Sequence, residues 1–291
     1  MPGDSHPHLH LWNAPVANGE DPRPETPLTL SSGEAERAEQ LACQETWRSF
    51  PSRKRTELEP YSRAWFEWIE HRRYKQQGYW LTRRMEFRRR TGDKILCLGH
   101  GLGTDWVQYA RHGAQVIVLH PAAEQLALVR SNFEARQLSA QWVQGLFTAL
   151  PQRNNSMDVV CLSGLHGPLE ELPAVTAEIY RVLRPGGKII GILPAWYNAR
   201  RWQELCLPWL GWFHRALPPA TDEPRYSATQ LYRHFNEFSE HRLYKRHLRR
   251  ADLPHLWRWL PLPVSERLMG KYLLLKAFKP LSSALTSAAA A

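Results

Sequence analysis

Cysteine is scarce in this 291-residue chain, and long apolar runs are absent. The four cysteines lie far apart, so the sequence predicts neither a disulfide framework nor the paired spacing of a zinc site. No stretch of about 18 uncharged apolar residues is present, so no transmembrane helix is predicted. The opening residues MPGDSHPHLHLW lack the basic-then-apolar order of a secretory signal. We therefore expect a cytoplasmic protein without a bound metal.

Positive charge, by contrast, is plentiful. Lysine and arginine outnumber aspartate and glutamate by 38 to 28, which gives a formal charge of +10. The excess is concentrated in three clusters: Arg72, Arg73 and Lys75; Arg83, Arg84 and Arg88 to Arg90; and Arg242, Lys245, Arg246, Arg249 and Arg250. Such clusters attract nucleic acids or anionic lipid headgroups, or they are simply solvated faces of helices and strands. Both interpretations stay open at this stage.

Composition divides the chain into segments. Residues 1–42 are rich in proline, glycine, serine and glutamate without periodicity, which predicts a disordered arm. Residues 43–91 carry helical spacing of aromatic and aliphatic residues, which predicts an N-terminal helical extension. Residues 92–279 form the principal domain, with a tryptophan-rich lid insertion at about 194–222. Residues 280–291 are a low-complexity tail.

Within the principal domain, short apolar runs alternate with longer helical stretches. The strand-length runs are Lys94–Leu98, Gln115–Leu119, Gln141–Gln144, Asp158–Leu162 and Lys188–Leu193. The helical stretches between them are Trp106–Arg111, Ala122–Arg136 and Glu171–Leu183. Strands that alternate with helices predict βαβ units and a mostly parallel sheet with helices on both faces. The expected fold class is therefore a Rossmann-like α/β domain.

Three alternating glycines follow the first predicted strand, at Gly99, Gly101 and Gly103. Glycine permits a positive φ and a close approach of ligand to backbone, while the next helix offers free N–H groups to an anionic group. A dinucleotide fingerprint would place its last glycine where this chain has Thr104. The G-x-G-x-G spacing is better suited to S-adenosylmethionine.

These residues carry a family resemblance. Ile95–Asp105, Ser156–Val160 and Arg181–Lys188 stand in the order and spacing of class I S-adenosylmethionine-dependent methyltransferases. The chain resembles a bacterial subgroup of that family over roughly residues 45–279. Segments typical of the subgroup are Leu102–Asp105, Arg73-Tyr74, Arg225–Ser227 and Leu273–Lys279.

The resemblance implies a seven-stranded sheet that is closed by two late strands, at Leu243–Leu248 and Tyr272–Phe278. It also implies S-adenosylmethionine as the cofactor. The implied cofactor-binding residues are Gly99, Gly101, Gly103, Thr104, Asp105 and His120.

The chain departs from the family pattern at three places that usually carry acidic residues. Those places fall on Cys97, His120 and about Leu146. A carboxylate after the second strand accepts hydrogen bonds from both ribose hydroxyls, whereas a neutral histidine accepts only one. His120 is therefore either a substitute ribose contact or a loop histidine in a site that no longer binds cofactor.

His166, expected at the carboxyl end of a strand, is the best candidate for a catalytic base because its ordinary pKa suits proton transfer near neutrality. A packing role is the alternative. Aromatic residues near the predicted site are candidates for the substrate pocket or for the core: Tyr74, Tyr79, Trp196, Tyr197 and Tyr226.

Three functions remain open from the sequence. The first is methyl transfer to a small, hydrophobic acceptor, with peripheral contact to an anionic membrane surface. The second is a catalytically degenerate methyltransferase fold that acts as a binding or scaffold module. The third is nucleic-acid binding through the arginine clusters, which ranks last because no recognised nucleic-acid module is present. The sequence does not indicate an oligomeric state.

Overall fold

The structure is a computed structural model that describes residues 58–59, 61–77, 79–163, 171–198, 225–246, 253 and 259–281. The predicted arm, residues 199–222 of the predicted lid, residues 282–291 of the tail and His166 lie outside the described residues. Among the helices in the described part of the chain, none is both long enough and apolar enough to cross a bilayer.

Seven strands form one sheet. Their bounds are β1 Lys94–Gly99, β2 Gln115–His120, β3 Gln141–Gln144, β4 Met157–Ser163, β5 Leu183–Pro194, β6 Ser239–Arg246 and β7 Tyr272–Phe278. Their order is β3-β2-β1-β4-β5-β7-β6. The first five are parallel, and β7 runs antiparallel to both of its neighbours. This confirms the Rossmann-like, seven-stranded and mostly parallel fold.

The helices are α1 Arg63–Gln77, α2 Tyr79–Met85, α3 Thr104–Arg111, α4 Ala123–Glu134, α5 Leu172–Val182, α6 Ala228–His234 and α7 Leu262–Met269. A single 3₁₀ turn, Phe87–Arg89, follows α2. One face of the sheet packs in a cluster with α5 and α6 residues such as Val175 and Leu231. The other face packs in a cluster with α2, α3 and α4, through residues such as Met85, Trp106 and Phe133.

Helix α2 is the short second helix of the predicted N-terminal extension. It ends at Met85 because Glu86 adopts a left-handed conformation with φ 60°. The carboxylate of Glu86 points towards the sheet, where it accepts hydrogen bonds from Lys188 of β5 and Lys276 of β7. The bent chain thus fastens the N-terminal helices to the central strands.

Candidate cofactor site

The glycine loop lies where the strand order reverses, between β1 and β4. Open α/β sheets bind ligands at this switch point, beyond the carboxyl ends of their strands. Gly99, Gly101 and Gly103 have φ values of 133°, 114° and 66°. A Cβ at Gly99 would overlap the carbonyl oxygen of Ser163, the last residue of β4. The loop therefore requires glycine and closes directly against β4.

Helix α4 holds the loop from one side. The Gln125 side-chain amide donates to the carbonyl oxygen of Gly101 at 2.9 Å, and that of Asn132 donates to the carbonyl of Leu102 at 2.6 Å. A Cβ at Gly103 would lie 2.6 Å from Cγ1 of Val129, so this helix packs against the loop backbone. The loop conformation is thus set by its neighbours as well as by its glycines.

Helix α1 covers the loop from outside. Leu102 is fully buried among Trp65, Phe66 and Ile69 of this helix. Burial of a leucine side chain stabilises by about 1.5–3 kcal/mol, which makes Leu102 an apolar anchor between the extension and the loop.

A buried ion pair lies beside this contact. Arg73 of α1 donates to both carboxylate oxygens of Asp105, with Nε to Oδ1 at 3.1 Å and Nη2 to Oδ2 at 2.5 Å. The Tyr74 hydroxyl adds a third hydrogen bond to Oδ1 at 2.8 Å. Burial, followed by the charge of Asp105, raises the pKa of Tyr74 well above its ordinary value. Asp105, in the first turn of α3, therefore uses both oxygens to bind the extension.

The nucleoside side of the site is lined by rings. His120 ends β2 and stacks edge-on against His100 of the loop, with ring centroids 4.5 Å apart. Phe147 contacts both imidazoles, with centroid distances of 5.7 Å to His120 and 6.5 Å to His100. The backbone N–H of Ala122 donates to Nδ1 of His120 at 2.9 Å. Leu146, the third place that is acidic in the family pattern, is 59% exposed.

Cys97 faces away from this pocket. It is fully buried in the cluster that packs against α2, α3 and α4, and it pairs in register with Cys161 of β4. Burial, and then a hydrogen bond with Cys161, raises the pKa of the Cys97 thiol well above its ordinary value. A neutral thiol at this place cannot supply the negative charge of a carboxylate.

The aromatic residues predicted for the substrate pocket separate into different environments. Tyr226 is buried in the core, its pKa is raised by burial to about 12, and its backbone is hydrogen-bonded to Pro194 and Trp196. Trp196 and Tyr197, just beyond β5, are 41% and 48% exposed. Tyr74 lies behind the glycine loop with Asp105. Tyr79 begins α2, but its side chain lies outside the described residues.

Comparison with known proteins shows which families share this architecture. Residues 95–187, from β1 into β5, match the family model described as a methyltransferase domain. A ubiquinone/menaquinone biosynthesis C-methyltransferase from Dinoroseobacter shibae is 32% identical over 105 residues, which are 35% of this chain and 42% of that protein. The demethylmenaquinone methyltransferase of Streptomyces avermitilis is 29% identical over 131 residues, which are 45% of this chain and 53% of that protein.

Among solved structures, a Galdieria sulphuraria protein assigned as a sarcosine dimethylglycine methyltransferase superposes with a TM-score of 0.50 at 16% identity. The match covers 73% of this chain and 88% of that protein, and it supports the fold. Residues 95–187 thus resemble a methyltransferase domain, and the described sheet has the fold of class I S-adenosylmethionine-dependent methyltransferases. The chain spans about half, or less, of the length of the curated relatives it matches.

The cofactor of this methyltransferase class is S-adenosylmethionine, and the residues present fit its shape. The glycine loop leaves backbone without side chains beside the start of α3, where the amino-acid end of the cofactor would meet N–H groups. The rings of His100, His120 and Phe147 offer faces and edges against which a nucleoside can pack. The fit differs in charge from what the family resemblance predicts, since His120 stands at the place predicted for an acidic ribose anchor.

The residues that support the methyltransferase loop were not predicted as a unit. Arg73 was named in a basic cluster and Tyr74 as a pocket candidate, and both carried the family resemblance, but neither was predicted to contact Asp105; Leu102 was named only as part of the loop motif. The sequence signal is an arginine-tyrosine pair in a helix upstream of a buried Leu-Gly-Thr-Asp. Because 32 residues separate Arg73 from Asp105, their contact is set by the docking of α1.

Proposed function

We propose that this chain transfers the methyl group of S-adenosylmethionine to a small, hydrophobic acceptor. The observation that carries the proposal is the glycine loop, which is closed against β4 and covered by α1 at the switch point of a methyltransferase domain. A loop kept only for packing would not need three positive φ values next to a helix N-terminus.

The methionine side of the cofactor would lie at the loop and the start of α3. Thr104 is the first residue of that helix, and N–H groups at a helix N-terminus favour a carboxylate. Asp105 acts here as a positioning residue, because its two oxygens hold Arg73 and Tyr74. Its role is to fix the loop geometry from behind.

The ribose side would depend on His120. Nδ1 lies 2.9 Å from the backbone nitrogen of Ala122 and 3.2 Å from its carbonyl oxygen, and the shorter contact favours a neutral ring that accepts at Nδ1 and carries its proton on Nε2. The imidazole therefore meets a ribose oxygen as a donor, where a carboxylate would accept from both hydroxyls. We expect this exchange to weaken cofactor binding relative to an acidic residue.

The acceptor would approach the end of β5, where Trp196 and Tyr197 present exposed aromatic surface. Both curated relatives described above are named for quinone substrates, which agrees with an apolar acceptor. The bound cofactor supplies an electrophilic methyl group, and the chain orients the acceptor and excludes water. His166 remains the predicted base for acceptors that must lose a proton.

Calorimetric titration with S-adenosylmethionine and S-adenosylhomocysteine tests the proposal. We expect saturable binding of both. Absence of heat at millimolar ligand would overturn methyl transfer and favour a degenerate fold that acts as a binding module. The neutral Cys97 thiol and the imidazole of His120, which stand where the family has charge, are the observations that support this second function.

The acceptor class is tested with a short-chain demethylmenaquinone and radiolabelled cofactor. Trp196→Ala should raise KM for the quinone several-fold and leave the affinity for S-adenosylhomocysteine unchanged, because Trp196 lies beyond β5 and away from the glycine loop. Tyr232→Ala, an exposed aromatic on α6, is the matched control. Equal effects of both variants would contradict the placement of the acceptor.

A further inference from the structure

A large groove lies away from the glycine loop. Its volume is about 1600 Å³, and its walls come from α1, α2, the following 3₁₀ turn, the end of α3, and strands β6 and β7. Lys276 and Phe278 of β7 line it, and they pair with Ile190 and Lys188 in the early part of β5. Because β7 is antiparallel to β5, the groove opens at the end of the sheet opposite the cofactor site.

Positive charge dominates this groove. Nine lysines and arginines line it, against three glutamates. These residues come from sequence positions as distant as Arg63, Arg111 and Arg242, so the fold assembles one basic surface from separate clusters. Seven of the nine are arginines, whose planar guanidinium groups bind phosphate in a bidentate manner.

The three glutamates are already engaged by cations of the chain. Glu67 accepts from Arg63 at 2.8 Å, Glu70 accepts from Arg111 at 2.9 Å and from Arg136, and Glu86 accepts from Arg90, Lys188 and Lys276. Four exposed cations of the groove have no acidic partner in the described part of the chain: Lys75, Arg83, Arg88 and Arg89. These four groups are available to an external anion.

The exposure of the aromatic rings in the lining, and the concave shape of the groove, indicate which class of anionic partner it fits. No phenylalanine or tyrosine of the lining is exposed, and His71 has its only exposed ring: Phe87 is 4% exposed, and the Arg84 guanidinium lies 4.0 Å from the ring centroid of Tyr244. Protein interfaces depend on exposed apolar anchors, and readers of single-stranded bases depend on exposed rings. A bilayer is flat, whereas this surface is concave. The partner class that fits this lining is a double-stranded nucleic acid, which presents a continuous backbone of phosphates.

We propose that this groove binds the phosphate backbone of a double-stranded nucleic acid without reading its bases. Tyr74 is shared between the groove wall and the contact with Asp105, but no groove residue belongs to the glycine loop itself, so duplex binding is measured without cofactor and does not rest on methyl transfer. From the sequence, nucleic-acid binding ranked last of the three functions, because the arginine clusters were separate and no recognised module joined them. In the structure six of their members, drawn from all three clusters, line a single concavity: Lys75, Arg83, Arg84, Arg88, Arg89 and Arg242.

Fluorescence anisotropy with labelled duplex RNA and duplex DNA tests the proposal. Four phosphate contacts predict a slope of about −3.6 for the logarithm of affinity against that of salt, or roughly a hundredfold loss between about 50 and 200 mM salt. Affinity should not change when the base sequence is scrambled. Weak salt dependence, or equal binding of anionic phospholipid vesicles or poly-glutamate, would overturn it.

The matched variants carry the same change in charge. Arg83→Glu with Arg88→Glu should lower affinity at least tenfold and roughly halve the salt slope. Arg233→Glu with Arg267→Glu places the same charges on α6 and α7, outside the groove, and should leave the slope unchanged. Equal losses from both pairs would mean binding by net charge alone. Ultraviolet cross-linking of the unaltered protein gives an independent answer, since cross-links outside the groove walls contradict the proposal.

Discussion

The two sides of the cofactor site use charge differently. On the side of the N-terminal helices, charged groups are buried and paired: Asp105 with Arg73, Glu70 with Arg136, and Glu86 with two lysines. On the nucleoside side, the rings of His100, His120 and Phe147 line the site, and His120 stands where the resemblance predicts a carboxylate. Buried charge near the cofactor site therefore lies where the N-terminal helices contact the rest of the domain.

The difference has an energetic consequence. A buried ion pair is costly to break, because its remaining partner is left without compensation. The ring cluster of His100, His120 and Phe147 is held by packing. His120 already accepts a hydrogen bond from Ala122, so a polar side chain that can accept the same bond should be tolerated there. The helical side should therefore control whether the loop folds, and the nucleoside side should control how tightly cofactor binds.

The largest effect is expected at Asp105. Asp105→Asn should lower the free energy of unfolding by about 3–5 kcal/mol, because it removes the carboxylate charge that faces the buried Arg73 guanidinium. Urea denaturation measures the change. The matched control is Glu134→Gln, whose partner Arg130 is 56% exposed and which should cost below about 1 kcal/mol.

A second variant keeps this prediction interpretable. Combining Asp105→Leu with Arg73→Met removes both charges and should recover much of the stability lost by Asp105→Asn. If the single variant is as stable as the unaltered protein, the charged side does not control folding of the loop.

Acid should weaken the helical side through Glu86. Burial raises the pKa of this carboxyl, but hydrogen bonds from Lys188, Lys276 and Arg90 outweigh burial and lower it to about 2. A lowered folded-state pKa gives stability that is present above the unfolded value of about 4.5 and is lost as the pH falls towards about 2. The contribution is on the order of 3 kcal/mol at neutral pH.

Glu86→Gln should remove that contribution and flatten the pH dependence of unfolding between about pH 4.5 and 2. Thermal melts across this range measure the slope. The matched control is Glu240→Gln, whose carboxylate is 61% exposed and pairs only with Arg242 at the surface. An unchanged slope in the Glu86 variant would show that its lysine partners do not hold the charged form.

The strands and the glycine loop were predictable because apolar period and glycine spacing are local properties. The end of β7 at Phe278 was predicted to the residue. Strand β5 was predicted to begin at Lys188 but begins at Leu183, because the chain stays extended through the Pro-Gly segment, with a shift in its register against β4. Helix α7, Leu262–Met269, was not predicted, because it is only eight residues long and carries a proline in its first turn. The left-handed Glu86 could not be predicted, since its conformation depends on lysines about 100 and 190 residues away.

The nucleoside side should respond in binding more than in stability. His120→Asp should tighten binding of S-adenosylhomocysteine by about tenfold to a hundredfold, because one carboxylate oxygen can keep the Ala122 N–H and the other can accept from ribose. Calorimetry measures the affinity. His120→Asn is the matched control, since it keeps the acceptor for Ala122 without charge and should gain little.

The smallest effect is expected at Leu146, the third of the places where the family has an acidic residue. Leu146→Asp should tighten S-adenosylhomocysteine binding only about threefold, because the residue is 59% exposed and water competes for any new hydrogen bond. Unfolding should change by less than about 0.5 kcal/mol, as for other surface substitutions. Leu281→Asp, at an equally apolar residue that is 72% exposed beyond β7, controls for added charge. If Leu146→Asp exceeds His120→Asp in the affinity gained, the ring cluster around His120 is not the feature that limits cofactor binding.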